Sequence, residues 1–231
     1  MGNFYPNEDR QLLAVDCVIF GYDQQELKLL LIKRCMEPGE GMWSLMGGFP
    51  KRDESLDQAA NRVLFQLTGI RNVYLEQLYA YGEVDRDPGE RVVSIAYYAL
   101  INIGNYNKEL VREHDAHWCP IRQIPELVFD HRIMVDKAMA RLRRRARIQP
   151  IGFELLPEKF SLPQLQGLYE AIYQKELDKR NFRKKILLMD LLDKLDEKDK
   201  TSSKKGAFLY RFNQEKYNEL LGNGFYFSVD V

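Results

Sequence analysis

One stretch constrains the fold of this chain more than any other: a glycine pair followed, after a polar loop, by a helix with a continuous apolar stripe. We call Gly41–Ile70 the glycine–helix segment; it contains Gly47 and Gly48, and its helix is predicted over Ser55 to Thr68. Ser55 and the Gln three residues later match a capping box, which marks the start of the helix. The apolar residues recur at the spacing of one helix face: Leu56, Ala59, Ala60, Val63, Leu64 and Leu67. A Gly-rich turn therefore precedes an amphipathic helix.

The segments around this helix are typical of strands. Leu12–Tyr22 is rich in apolar and β-branched residues, and Leu27–Cys35 follows it after a polar turn, which predicts an antiparallel hairpin. Arg91–Ile101 is an almost continuous apolar run, as in a buried strand. A second long helix is predicted over Ile133–Arg147. The N-terminal part of the chain is therefore predicted to be an α/β domain, a mixed sheet with flanking helices.

The pattern changes at Pro150, where we place a domain boundary between residues 1–149 and residues 150–231. Prolines and a glycine around this position interrupt the helical pattern. Two helices follow, over Leu162–Tyr173 and Lys179–Leu188, and then a charged loop and a strand. This order of supporting helix, second helix and hairpin predicts a C-terminal winged helix-turn-helix domain.

The helix over Lys179–Leu188 concentrates basic side chains, with five of them in seven positions and no acid among them. Lysines neutralise phosphates, while arginine and asparagine can read base edges in the major groove. Residues 196–206 form a predicted polar loop, and the part over Lys198–Gly206 is placed like a wing over the DNA backbone. The predicted DNA-binding residues are Lys179, Arg180, Asn181, Arg183, Lys184 and Lys185 on the helix and Lys204 and Lys205 in the wing. The alternative is a solvated charged face, which is the usual role of such a run.

Composition bounds the class of protein. The 231 residues include 34 basic side chains (Lys and Arg) and 34 acidic ones (Asp and Glu). This balance excludes a uniformly basic protein that coats nucleic acid, but it does not exclude a local basic patch. The three cysteines are scattered without a CxxC pair, which favours a reducing compartment. No apolar run approaches the roughly 20 residues of a membrane helix, and the start of the chain has no signal-peptide pattern. We therefore expect a cytoplasmic protein with no membrane partner.

The glycine–helix segment resembles the Nudix box, G-x5-E-x7-R-E-U-x-E-E-x-G-U, in which U is a bulky aliphatic residue. The positions that match in type and spacing are Gly48, Glu54, Arg62, Leu64, Gly69 and Ile70. The resemblance covers about Leu12 to Arg147 and implies a Nudix fold for this part of the chain.

The departures from the box concern its chemistry. Nudix hydrolases use the box glutamates to hold Mg²⁺, yet the three later glutamate positions carry Val63, Gln66 and Leu67. Glu54 is left alone, and a single carboxylate is a poor Mg²⁺ site. We therefore expect no catalytic residues, no metal and no cofactor. One alternative stays open, an active hydrolase of a nucleoside diphosphate derivative whose acids come from outside the box; the candidates are Glu83, Asp85 and Glu90.

The C-terminal part carries a second resemblance. The stretch FSLPQLQGLYE, followed by LDKRNFRKK, spans Phe160 to Lys185 and resembles the signature of the NrtR family of Nudix-related transcriptional regulators. The resemblance implies a homodimer that binds a palindromic operator in double-stranded DNA, as a repressor whose Nudix domain senses a small effector. A third hypothesis, a pure protein-interaction module, would bind neither DNA nor a ligand.

The effector is the least constrained prediction. In the family it is an ADP-ribose-like nucleotide or, in a sugar-catabolic branch, a pentose such as arabinose. A diphosphate ligand needs basic groups and usually a metal, and the box supplies little of either, which favours a neutral sugar. From their position in a Nudix fold alone, we expect the effector to contact Trp43, Glu83 and Arg86.

Overall fold

A computed structural model describes residues 7–23, 26–105, 115–199, 206–223 and 227. Within these ranges the chain forms two sheets with helices beside them. No helix in the described part of the chain is both long enough and apolar enough to cross a bilayer.

The larger sheet contains seven strands. They are β1 (Leu12–Tyr22), β2 (Leu27–Lys33), β3 (Trp43–Ser44), β4 (Met46–Gly48), β5 (Glu76–Tyr81), β6 (Val92–Asn102) and β7 (Ala116–Pro120). The main path runs β3-β2-β1-β6-β5, while β4 pairs with β1 and β7 pairs with β2. The predicted strands β1, β2 and β6 are thus confirmed. However, β2 ends before Cys35, because Arg34 exchanges two backbone hydrogen bonds with Gly41 and Met42 across a turn.

Helix α1 (Leu56–Thr68) forms as the glycine–helix segment predicts. The Ser55 hydroxyl accepts a hydrogen bond from the backbone N–H of Gln58, and the Gln58 side chain accepts one from the Ser55 N–H. Gly69 ends the helix at φ 71°, in the left-handed region that glycine adopts without strain. The capped ends and the buried stripe hold α1 on the sheet beside β4.

Helix α2 (His131–Ile148) contains the whole of the second predicted helix. Its first residue is predicted too late by two positions, because the short Asp130-His131 entry has no apolar periodicity to reveal it. The helix buries side chains at helical spacing: Met134, Val135, Ala138, Met139 and Leu142.

The C-terminal elements have the predicted order. They are β8 (Phe160–Ser161), α3 (Leu162–Tyr173), α4 (Lys179–Leu188), β9 (Leu192–Asp199), β10 (Ala207–Phe212) and α5 (Gln214–Gly222). Both predicted helices have the predicted bounds, and a three-stranded antiparallel sheet of order β8-β10-β9 forms the hairpin region.

The predicted polar loop is wrong at its start. Residues 196–199 belong to β9 rather than to a loop. This strand lies at the edge of the small sheet, and most of its side chains face water, so its polar composition resembles that of a loop. The sequence patterns also did not predict the strand β8 and the helix α5.

The described contacts divide the chain into two compact units. The second unit contains the chain from Lys137 onward and two short pieces that begin at Gly21 and Leu100. Within it, the Asn102 side chain donates to the Leu155 carbonyl at 2.8 Å. The units therefore group residues by their contacts and not by their order in the chain. They do not test the domain boundary between residues 149 and 150, which stays a prediction.

Candidate functional site

Glu54, at the one glutamate position of the box that still carries an acid, is held by Arg62. The Arg62 Nε and Nη2 donate to the two carboxylate oxygens at 2.5 and 2.9 Å, and the backbone N–H of Lys51 donates at 2.9 Å. These hydrogen bonds, above all those from Arg62, lower the pKa of Glu54 to about 2. Arg62 also donates to the Phe49 carbonyl at 3.1 Å. Glu54 is therefore ionised and fixes the loop before α1.

The three substituted box positions carry no charge. Val63 is 3% exposed and faces β4 so closely that a Cβ on Gly48 would lie 2.9 Å from a Val63 methyl group. The Gln66 side chain accepts a hydrogen bond from Arg62 Nη1 at 2.9 Å, and Leu67 is half-buried. Val63 therefore packs against the sheet, and Gln66 supports Arg62.

The acids of the alternative hydrolase site lie on the surface. Glu83, Asp85 and Glu90 are all exposed. Among the described residues, no group of three or more His, Cys, Asp or Glu side chains is placed to hold a metal ion. The described geometry therefore offers no substitute for the missing box glutamates.

The three predicted effector residues have different surroundings. Trp43 is half-buried on β3, with Lys33 Nζ 5.3 Å from its ring centre and the His117 ring perpendicular to it. Glu83 is exposed, and its backbone carbonyl accepts a hydrogen bond from Arg91. Arg86 is only 7% exposed. Trp43 is thus partly accessible and Glu83 exposed, whereas Arg86 is engaged inside the protein.

Arg86 belongs to a buried polar network that the sequence analysis did not identify. Its guanidinium donates two hydrogen bonds to Asp130, at 2.9 and 2.7 Å, and lies 3.8 Å from Asp16. Asp16 in turn accepts a hydrogen bond from the Ser94 hydroxyl at 2.5 Å and lies 3.6 Å from His131 Nε2. The network joins strand β1, strand β6, the loop that carries Arg86 and the start of α2. One signal was available: Asp16 is an isolated acid inside the apolar run of β1.

His131 connects this network to the glycine pair. Burial lowers the pKa of His131 and favours the neutral ring. Its Nδ1 accepts a hydrogen bond from the backbone N–H of Leu45 at 3.2 Å, so the proton of the neutral ring lies on Nε2, towards Asp16. The network therefore holds the chain immediately before Gly47 and Gly48.

Helix α4 separates its apolar and basic faces. Phe182 and Ile186 are 2% and 3% exposed, and the Phe182 ring packs 5.4 Å from the Tyr169 ring of α3. Asp178 caps the helix by accepting a hydrogen bond from the N–H of Asn181. The predicted DNA-binding residues that are exposed are Lys179, Arg180, Asn181, Arg183 and Lys184.

The remaining predicted DNA-binding residues differ in position. Lys185 is half-buried. Lys204 and Lys205 lie outside the described residues, as does the rest of the predicted wing tip. The strands that flank the tip pair in antiparallel register from Ala207 with Asp199 to Phe212 with Leu192. The described geometry therefore presents one basic helix face beside a hairpin.

Family models match both parts of the chain. The NUDIX domain model matches residues 10–138, and the model described as the NrtR DNA-binding winged helix domain matches residues 152–212. The predicted fold class, a Nudix fold followed by a C-terminal winged helix domain, is confirmed by these matches.

Similar proteins extend over nearly the whole chain. It is 35% identical over 211 residues to the "ADPR responsive transcriptional repressor NtrR" of Acinetobacter baylyi, covering 90% of this chain and 84% of that protein. A crystal structure of Shewanella oneidensis NrtR complexed with a 27mer DNA is 32% identical and superimposes with a TM-score of 0.76, covering 95% of this chain and all of that one. The NUDIX domain of the same Shewanella protein, complexed with ADP ribose, is 37% identical with a TM-score of 0.50 and covers 61% of this chain and 94% of that one.

Proposed function

Because the chain belongs to the NrtR family, we propose that it is a transcriptional repressor that binds operator DNA through α4 and releases it when an effector occupies the Nudix domain. The observation that carries this proposal is the division of α4 into two faces. Phe182 and Ile186 seat the helix on the protein, while its other face exposes cations and an asparagine. Such a helix can enter a major groove with its base-reading groups directed at the DNA.

We propose ADP-ribose, rather than arabinose, as the effector. The named effector of the Acinetobacter relative and the ligand of the Shewanella NUDIX domain are both ADP-ribose. The sequence favoured a neutral sugar because the box has few basic groups, but Lys33 lies outside the box and beside Trp43. A half-buried aromatic ring can stack on an adenine, and a cation beside it can bind a phosphate.

The roles of the three predicted effector residues differ in this proposal. Trp43 and Glu83 contact the ligand directly, since each presents a group at the surface. Arg86 acts by holding the loop that carries Glu83, because its guanidinium is bound to Asp130. This assignment keeps all three residues in the effector site but changes the role of Arg86 from ligand contact to support.

We further propose that the Nudix domain binds its effector without cleaving it. Val63, Gln66 and Leu67 replace the box glutamates, and Arg62 occupies both oxygens of Glu54. The runner-up is an active hydrolase of a nucleoside diphosphate derivative. It would need metal ligands that the described residues do not group together.

The size of the DNA contact supports a dimer. One recognition helix touches only a few base pairs, so useful specificity needs two half-sites. We therefore propose a cytoplasmic homodimer on a palindromic operator. Light scattering of the protein at micromolar concentration should give twice the chain mass of 27.2 kDa, and a monomer mass with and without DNA would contradict the dimer.

The test of the DNA-binding role uses a labelled duplex that the wild-type protein selects from a random library. Arg180→Ala with Arg183→Ala removes two candidate base contacts, each worth about 1–3 kcal/mol, so affinity should fall by at least about 30-fold. Arg52→Ala with Arg132→Ala, two exposed arginines of the Nudix domain, makes the same change in charge and should leave affinity nearly unchanged. Equal affinity of the α4 variant and wild type, with both folded, would refute the assignment of α4.

A further inference from the structure

The five residues Leu127–His131, which we call the clasp segment, lie against the strand that carries Trp43. Leu127 forms a parallel bridge with Trp43, and the backbone N–H of Val128 donates to the Trp43 carbonyl at 2.9 Å. Leu127 and Val128 are 7% and 2% exposed, so these contacts are shielded from water. The clasp segment therefore fixes the backbone of the residue whose ring is proposed to contact the effector.

The other end of the clasp segment holds the loop that contains Glu83. Asp130 accepts two hydrogen bonds from the Arg86 guanidinium. The backbone N–H of Arg86 in turn donates to the Glu83 carbonyl at 3.4 Å. Trp43 and Glu83, the two residues proposed to contact the effector, thus have a common support in the clasp segment, although they are far apart in the chain.

The middle of the clasp segment has a strained backbone. Phe129 has φ 54°, a left-handed conformation that is unusual for a bulky side chain. Its ring is perpendicular to the His131 ring, with 5.8 Å between the ring centres, and the Arg34 guanidinium lies 5.0 Å from its centre. Such strain persists only where the surrounding contacts hold it. The conformation of the clasp segment therefore depends on contacts that include those of His131.

His131 joins the clasp segment to the chain before the glycine pair. Its Nδ1 accepts the hydrogen bond from the backbone N–H of Leu45, a residue that is fully buried between strands β3 and β4. Its Nε2 lies 3.6 Å from Asp16 on β1. A buried N–H needs an acceptor, and an apolar side chain at position 131 would remove this one. The imidazole therefore ties the clasp segment to the residue that follows β3.

We propose that His131 is a positioning residue for the effector, which holds Trp43 and Glu83 in place through the clasp segment without contacting the effector itself. The proposal rests on the proposed function and deepens it, because it assigns part of effector recognition to a side chain that is only 2% exposed. Groups that are already held in place lose less conformational entropy when a ligand binds. Loss of the Leu45 hydrogen bond should therefore weaken effector binding, while α4 still binds DNA.

The experiment measures the affinity of the full chain for ADP-ribose by isothermal titration calorimetry, and its affinity for the selected duplex by fluorescence anisotropy, in one buffer at neutral pH. His131→Phe keeps a ring of similar shape but removes the acceptor for the Leu45 N–H. Loss of one buried hydrogen bond corresponds to about a fivefold change in an equilibrium constant, so ADP-ribose should bind about fivefold more weakly. The affinity for the duplex should stay close to that of wild type.

Three further variants isolate the cause. His131→Asn supplies an amide oxygen that can replace Nδ1 as the acceptor, and it should recover most of the affinity for ADP-ribose. Phe129→Gly relieves the strain and removes the ring at a half-buried position, so it should fold and still weaken ADP-ribose binding. Ile70→Ala is the stability control, because it removes buried apolar volume after the end of α1 and should leave the affinity for ADP-ribose close to that of wild type. Melting curves should show that each variant is folded at the temperature of the titration.

The outcomes separate this inference from the function on which it rests. If wild type, His131→Phe and Phe129→Gly bind ADP-ribose equally well, the positioning role is wrong and the proposed function stands. If His131→Asn binds as weakly as His131→Phe, or if Ile70→Ala weakens binding as much, general loss of stability explains the effect, which also overturns the proposal. If wild type binds the selected duplex but not ADP-ribose, the proposed effector itself fails, and the positioning role fails with it.

Discussion

Helices α1 and α4 both have a side-chain cap and a buried apolar face, but they differ in how the charged groups on and beside them are placed. Each begins with a side-chain cap, Ser55 on α1 and Asp178 on α4, and each buries one apolar face. In α1 the positions where a hydrolase needs carboxylates carry uncharged side chains, and the remaining acid is bound to Arg62. In α4 most of the cations face water, with no acid in the helix. What each helix can bind therefore depends less on the type of helix than on whether its charged groups are paired within the protein or face water.

The largest expected effect concerns the buried face of α4, on which the stability of the protein should depend. Phe182→Ala removes a ring that is 2% exposed and packs on Tyr169, and should lower the free energy of unfolding by about 3–5 kcal/mol. Urea unfolding measures the loss. Leu188→Ala, at an exposed position of the same helix, is the control and should cost far less. Similar losses for both variants would mean that α4 does not pack as described.

A second change tests whether position 63 in α1 has become part of the core. Val63→Glu would place a carboxylate against Gly48 at a position that is 3% exposed, and should destabilise the protein by about 3 kcal/mol or more. Gln66→Glu, on the exposed side of the same helix, should be tolerated because Arg62 already donates to this side chain. If Val63→Glu is as stable as wild type and binds Mg²⁺, the site has kept more of its hydrolase geometry than we infer.

Acid titration compares the stability contributed by the paired acid before α1 with that contributed by an exposed ion pair elsewhere. Arg62 lowers the pKa of Glu54 to about 2, against about 4.3 in an unfolded chain, so the native state favours the ionised form. The stabilisation is complete above the unfolded pKa and is lost as pH falls towards about 2. The melting temperature of Glu54→Gln should therefore lie below that of wild type at pH 7, with the gap closing in acid. Glu158→Gln, at an exposed ion pair with Arg211, should show little gap at any pH; a constant gap for Glu54→Gln would contradict the pairing.

The smallest expected effects come from the two caps. Ser55→Ala and Asp178→Ala should each cost about 1 kcal/mol of stability, because each leaves an N–H of the first helical turn without its partner. Only the second should alter DNA binding. Removing the Asp178 charge makes the basic surface more positive, so affinity for a random duplex should rise slightly at low salt. An equal effect of both substitutions on DNA affinity would remove the distinction between the helices.

The sequence was sufficient where local signals agreed. Helices α3 and α4 have the predicted bounds because caps at Ser161 and Asp178 coincide with the start of each apolar stripe. It was insufficient where partners are far apart in the chain. Arg86 and Asp130 are 44 residues apart and show no pattern that links them, so Arg86 was assigned to the effector rather than to a buried ion pair. The edge strand β9 was missed in part because water-facing strand residues and loop residues have the same composition.

We propose that the Nudix domain recognises a ligand that it does not cleave. The most direct measurement follows the anisotropy of the labelled selected duplex, bound to the wild-type protein, during titration with ADP-ribose in the presence of Mg²⁺, with chromatography of the nucleotide from the same sample. We expect ADP-ribose to release the DNA and to be recovered intact, while arabinose at the same concentration leaves the complex unchanged. Conversion of ADP-ribose to AMP and ribose 5-phosphate at a typical enzymatic rate, about 1 s⁻¹ or faster, would contradict the account.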